Sequence, residues 1–151
     1  MLTSSAIHPI LENAELRTQV SQFMPSLYHE LDRSVQPMQQ TCRNCKKCCD
    51  FASSGLNLFV TNLELAYFVI NVPAVPKIIT GRCPYLDENQ GCTVREFRPI
   101  GCRTYFCAPP KEYSEQTLYE NTLSRIKQFI ENHRLAYSYT EWLKGLSEAP
   151  R

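Results

Sequence analysis

Eight cysteines fall within one stretch of the 151-residue chain, Cys42 to Cys107, and neither flank contains any. The first block reads Cys42-Arg-Asn-Cys45-Lys-Lys-Cys48-Cys49. Two residues between cysteines let the chain fold back so that both sulfurs face one centre, the spacing of a zinc knuckle. In tandem, Cys42, Cys45 and Cys48 match the first three ligands of the bacterial ferredoxin run, which wraps a four-iron cluster. Neighbouring side chains in extended chain point to opposite faces, so the adjacent Cys48 and Cys49 can serve a second metal or a different corner of one centre. The second group comprises Cys83 in Cys-Pro-Tyr-Leu, Cys92, Cys102 and Cys107. Its gaps are irregular for a zinc ribbon but suit converging loops. Eight thiolates suffice for two four-ligand sites, or for one cluster with thiols to spare.

The charge pattern supports metal. The stretch from Cys42 to Cys107 carries a net charge of +3, while the whole chain carries only +1. Positive charge beside a cysteine favours the thiolate, the form that binds metal. Zinc held by four thiolates, or an oxidised four-iron cubane with four cysteines, is anionic and would be offset by this excess. Arg98 and Arg103 are the candidates for donating to sulfur or to nearby backbone carbonyls; the alternative pairs them with Glu96 or Asp87 on the surface. A lone catalytic cysteine is disfavoured, because no histidine lies within the stretch to activate it. The N-terminus shows no basic start followed by an apolar stretch, so no secretory signal is predicted and a reducing, cytoplasmic setting is expected. That setting argues against four disulfides. The near-zero net charge gives no reason to expect nucleic acid. The longest apolar run, Leu65 to Ile70, is six residues, against roughly 20 for a membrane helix.

The flanks must position this stretch. Leu16, Val20, Phe23, Met24, Leu27, Leu31 and Val35 recur at helical spacing. Pro9 suits the first turn of that helix, Pro25 kinks or splits it, and Pro37 ends it. After Ser114, a predicted cap, Tyr119, Leu123, Ile126, Ile130, His133 and Tyr137 form a second stripe, with Lys127 and Glu131 paired outside. A short final helix over Thr140 to Gly145 is stopped by its glycine. His133 is read as packed rather than ligating, and so are His8 and His29. Between the flanks, Thr61 and Glu64 form a capping box opening a helix that ends by Val72, since Pro73 and Pro76 follow. The rest of the cysteine stretch is rich in turn residues and needs something else to order it; metal binding supplies on the order of 10 kcal/mol in small zinc domains.

In these motifs the chain resembles the CxxCxxCC family of cysteine-cluster proteins (YkgJ-like), associated with zinc or iron chelation. The resemblance spans roughly residues 42–107 and follows the family's order. CRNCKKCC comes first, then Phe-Val-Thr as a strand leading into a helix with Glu64, then Cys83-Pro-Tyr-Leu86, Cys92, Arg98-Pro99 and Cys102-Arg103. It departs after Cys92, where Thr-Val-Arg-Glu-Phe stands in place of the family's Tyr and Glu, and Cys107 is less regular in the family. A similar cluster occurs in flagellin lysine N-methylases, where an iron–sulfur centre is implied.

The expected protein is mainly α: one small domain, residues 1–151, in which an irregular, metal-bound centre (42–107) packs between helical flanks (1–41 and 108–151). The ligand set is Cys42, Cys45, Cys48, Cys49, Cys83, Cys92, Cys102 and Cys107, with Arg98 and Arg103 beside the cofactor. The tandem spacing favours an iron–sulfur cluster, 4Fe-4S, over zinc. The expected function is redox or metal handling. A zinc-stabilised interaction module using the exposed helix faces, and a cluster-dependent enzyme akin to the methylases, are the alternatives.

Overall fold

The computed structural model describes residues 3–37, 49–72, 81–106 and 109–150. The N-terminal flank forms α1 (Thr3–Glu12) and α2 (Ala14–Val35). They part at Asn13, whose Oδ1 accepts a hydrogen bond from Leu16 N at 3.0 Å and starts α2 afresh. Pro9 lies inside α1, not in the first turn of the helix carrying Leu16, which corrects one expectation; of the two outcomes expected at Pro25, the split is absent, since α2 runs through it. Burial explains that continuity: Val20 and Met24 before the proline, and Leu27, Tyr28, Leu31 and Val35 after it, share one buried stripe, while Pro25 is exposed. Burying each large apolar side chain contributes roughly 1.5–3 kcal/mol, so the stripe outweighs the ~3 kcal/mol of an interior proline.

The cysteine stretch then supplies α3 (Phe51–Ser54), β1 (Phe59–Thr61), α4 (Asn62–Asn71), β2 (Leu86–Asp87), β3 (Gly91–Cys92), a 3-10 turn (Arg95–Phe97) and α5 (Ile100–Thr104). The C-terminal flank supplies α6 (Glu115–Asn132), β4 (Tyr139–Glu141) and α7 (Trp142–Glu148). The protein is mainly helical and forms a single small domain around one core. At its centre is α4, buried along Leu63, Leu65, Ala66 and Phe68 and packed against α1 and α2. It is hydrophobic on nearly every side, as a helix surrounded by others must be. The capping box at its start is present in both directions, and the helix ends before Val72, both as expected. Ser114 caps α6 by accepting from Thr117 N at 3.2 Å. The two flanks meet where Phe23 of α2 stacks on Phe129 of α6, ring centroids 4.7 Å apart.

The Phe-Val-Thr strand implied by the resemblance is present as β1, but its antiparallel pairing with β4, Val60 opposite Thr140, is not legible in the sequence. Three residues per strand are too few for a visible alternation, and the partners lie about eighty residues apart. That pairing also changes the last helix. Residues 139–141 are strand, α7 begins at Trp142, and Gly145 is buried inside it instead of stopping it. A Cβ on Gly145 would sit 3.2 Å from both Leu65 Cδ2 and Thr140 Cγ2. The glycine is therefore a packing device. Gly145→Ala is expected to destabilise by about 1 kcal/mol through overpacking, although the same change in an open helix stabilises by roughly 0.5–1 kcal/mol. Urea unfolding followed by circular dichroism reads the sign.

Three smaller expectations also fail. His8 and His29 are exposed, and His8 pairs with Glu12 at 3.0 Å. Tyr137 lies beyond α6 and is 42% exposed. Lys127 sits over its ring, 5.3 Å from the centroid, rather than on Glu131. His133 is packed as expected, stacked on Phe129 at 3.9 Å. Among the described residues no helix is long and apolar enough to cross a membrane.

Candidate metal centre

Four of the eight cysteines lie in the described residues: Cys49, Cys83, Cys92 and Cys102, all half-buried. Cys42, Cys45, Cys48 and Cys107 lie outside them. Cys49 precedes α3 and runs beside the segment leading to Cys83. Asp50 and Arg82 form an antiparallel bridge, Cys83 N donates to the Cys49 carbonyl at 2.8 Å, and Ala52 N donates to the Gly81 carbonyl at 3.0 Å. The Arg82 guanidinium adds ion pairs to Asp50 at 3.8 Å and Glu88 at 3.3 Å. Cys-Pro-Tyr-Leu is a tight turn, closed by Leu86 N donating to the Cys83 carbonyl at 3.1 Å. It feeds the β2–β3 hairpin, in which Cys92 stands opposite Leu86. Asp87 shapes the hairpin tip, its Oδ1 accepting from Asn89 N and Gln90 N at 2.7 and 2.9 Å. Gly91, at φ 78°, supplies the left-handed residue needed there.

Cys102 rides on α5, a helix held from both ends by buried charge. The first amide of α5, Ile100 N, donates to Glu64 Oε1 at 2.8 Å, while Glu64 Oε2 accepts from Thr61 N and Thr61 Oγ1 at 2.8 and 2.9 Å. Glu64 is 1% exposed. One carboxylate thus caps α4 and α5 together. Burial pushes its acidity to a higher pKa, opposed by the hydrogen bonds from Thr61 and Ile100 and by the charge of Arg103. The sequence showed only the α4 half of this role.

The two arginines separate into different roles. Arg103 is buried, its side chain 2% exposed. Its Nε donates to the Arg98 carbonyl at 2.7 Å, Nη2 to the Arg95 and Glu96 carbonyls, and Nη1 to Asp32 Oδ2 of α2 at 2.7 Å. Its guanidinium lies 3.9 Å from the ring centroid of Tyr28. The expected donation to backbone carbonyls is therefore present, and the expected alternative of surface pairing with the Glu96 or Asp87 carboxylates is not what the structure has. Arg103 ties the loop between Cys92 and Cys102 to α2. Arg98 reaches the Cys102 backbone: Nη1 donates to the Cys102 carbonyl at 3.4 Å, and its charge interacts with both Cys92 and Cys102. Burial and the like charges of Arg95 and Arg103 pull the Arg98 pKa down, and the two cysteines oppose them.

Tyr28 and Asp32, one turn apart on α2, carry no functional signal in the sequence. Tyr28 matched the helical stripe by spacing, and Asp32 resembled any surface acid. Tyr28 is 2% exposed, and its hydroxyl has no hydrogen-bond partner among the described residues. Burial raises its pKa, with further contributions from Glu64 and, more weakly, Cys102.

Thiolates are the ligands a thiophilic metal takes, and the four described here are half-buried, with Arg82 and Arg98 on the same segments. Among the described residues, no three His, Cys, Asp or Glu side chains stand close enough to hold a metal ion. The described cysteines contribute pairs at most. Comparison with family models, curated proteins and solved structures finds no match.

Proposed function

We propose that this chain is a metal-binding protein that holds an iron–sulfur cluster, with zinc as the competing occupant, and acts in redox chemistry or metal handling. The observation that carries the reading is the confinement of all eight cysteines to one stretch that opens with tandem Cys-x-x-Cys spacing. The fold supports it in one respect: the described cysteines sit on turns and short elements at the margin of the apolar core, half-buried, with Arg82 and Arg98 on the same segments. The reading includes the resemblance to the CxxCxxCC cysteine-cluster proteins and a reducing, cytoplasmic setting. Arg98 would offset the charge of the thiolates, and Arg103 and Glu64 would hold the loop that carries Cys102.

Protein prepared without oxygen is expected to be brown, with iron and sulfide in stoichiometric amounts. Colourless protein containing stoichiometric zinc would replace the cluster with zinc, and protein free of both metals would end the reading. Removing the metal with a chelator is expected to act locally. Residues of the core helices α2, α4 and α6 draw their order from apolar burial, whereas the hairpin and turn from Cys83 to Arg98 have little of it. Hydrogen exchange of amides 83–98 should therefore accelerate at least tenfold on metal loss, with α4 still protected.

A further inference from the structure

We infer that Cys49 and Cys83 bind the same metal ion, so that the centre is assembled across the two cysteine groups and not within each of them. This rests on the metal-binding reading above and goes beyond it, since the spacing leaves open which thiols share a centre.

Three observations place the two residues together. Next to the Asp50–Arg82 bridge, Cys49 and Cys83 stand opposite one another, joined by the 2.8 Å hydrogen bond from Cys83 N to the Cys49 carbonyl. That hydrogen bond brings the two backbones side by side where Cys49, on a 3-10 turn, enters the bridge. Two thiolates of a tetrahedral zinc site, each about 2.3 Å from the metal, lie ~3.8 Å apart, a separation within reach of side chains on adjacent backbones. The second observation is Gly81. A Cβ there would fall 2.4 Å from Ala52 Cβ and 3.3 Å from Ala52 Cα, so only glycine allows the two chains to approach this closely. The third is Arg82, whose ion pairs with Asp50 and Glu88 tie the same junction from its side-chain face. The junction joins the end of the tandem motif to the start of the second cysteine group. On binding, each thiol would release its proton to solvent and both sulfurs would become ligands.

The test uses the full-length protein, prepared without oxygen and stripped of metal. Dibromobimane bridges two neighbouring thiols: two C–S bonds form, two bromides leave and two protons pass to buffer. Peptide mapping should find Cys49 linked to Cys83, and one equivalent of added zinc should suppress that link at least tenfold. Gly81→Ala should lower its yield several-fold without loss of helical signal. In zinc titrations, Cys49→Ser and Cys83→Ser should each lose the same equivalent, and the double variant should lose no more than either single one. A missing Cys49–Cys83 link in folded, metal-free protein would overturn the inference. So would a double variant that loses twice as much zinc as each single variant. Failure of the wild-type protein to take up zinc or iron would instead defeat the metal reading itself, whatever the cross-linking shows.

Discussion

Replacing Arg103 with methionine is expected to lower the unfolding free energy by about 3 kcal/mol, at the low end of what breaking a buried ion pair typically costs. The guanidinium uses its fork on four separate acceptors, the carbonyls of Arg95, Glu96 and Arg98 and the carboxylate of Asp32. Methionine fills the volume but leaves those acceptors without their donors, and it removes the cation from the face of Tyr28. Asp32 is 36% exposed, so water can recover part of its loss, which holds the expected value at the lower end. Arg103→Lys should fall between wild type and methionine, because an ammonium can reach Asp32 but cannot reproduce the planar fork. Guanidinium or urea unfolding of metal-free protein gives both numbers. A methionine variant as stable as wild type would show that the loop before Cys102 is held by something other than this clamp.

Glu64→Gln is expected to destabilise by about 1–3 kcal/mol, because a buried donor loses its acceptor. The carboxylate accepts from three donors at once, Thr61 N, Thr61 Oγ1 and Ile100 N. An amide has one oxygen. If that oxygen serves Thr61, the NH2 group faces the Ile100 amide, donor against donor, and α5 loses its cap. The variant should also change the pH dependence. Burial raises the folded-state pKa of Glu64 above its usual 4.5, so the folded protein holds this proton more tightly than the unfolded chain does. The resulting stability is fully present below the ordinary glutamate value and is lost as pH rises through the raised one. Wild type should show that decline above the ordinary glutamate pKa, and Glu64→Gln should lack it. Parallel stability curves for the two proteins would refute this account of Glu64. Since α5 carries both Cys102 and Arg103, the same variant should loosen the Cys102 loop.

Much of the helical scaffold was legible because the apolar stripes of α2 and α6 repeat at helical spacing and the caps at Thr61 and Ser114 use local chemistry. One failure was local: Asn13 caps α2 by the same chemistry as Thr61 and Ser114, but Pro9 is the more conspicuous start signal. The rest were non-local. Burial on both sides of Pro25 carries α2 through it. Tyr139 to Glu141 became a strand because Phe59 to Thr61 was there to pair with it. Gly145, a stop signal by type, proved to be a space left for Leu65.

The same division holds at the candidate site. The sequence by itself determined the chemistry on offer: eight thiols in one basic stretch, spaced for metal. That information is carried by residue type and short separations, which no fold is needed to express. Tertiary structure alone decided how the two arginines divide. Arg103 is buried against Tyr28 and Asp32 from seventy residues away, leaving Arg98 beside the cysteines. It alone set Cys49 opposite Cys83, across thirty-three intervening residues, because backbone pairing between distant segments depends on the closure of the whole chain and on the missing side chain of Gly81.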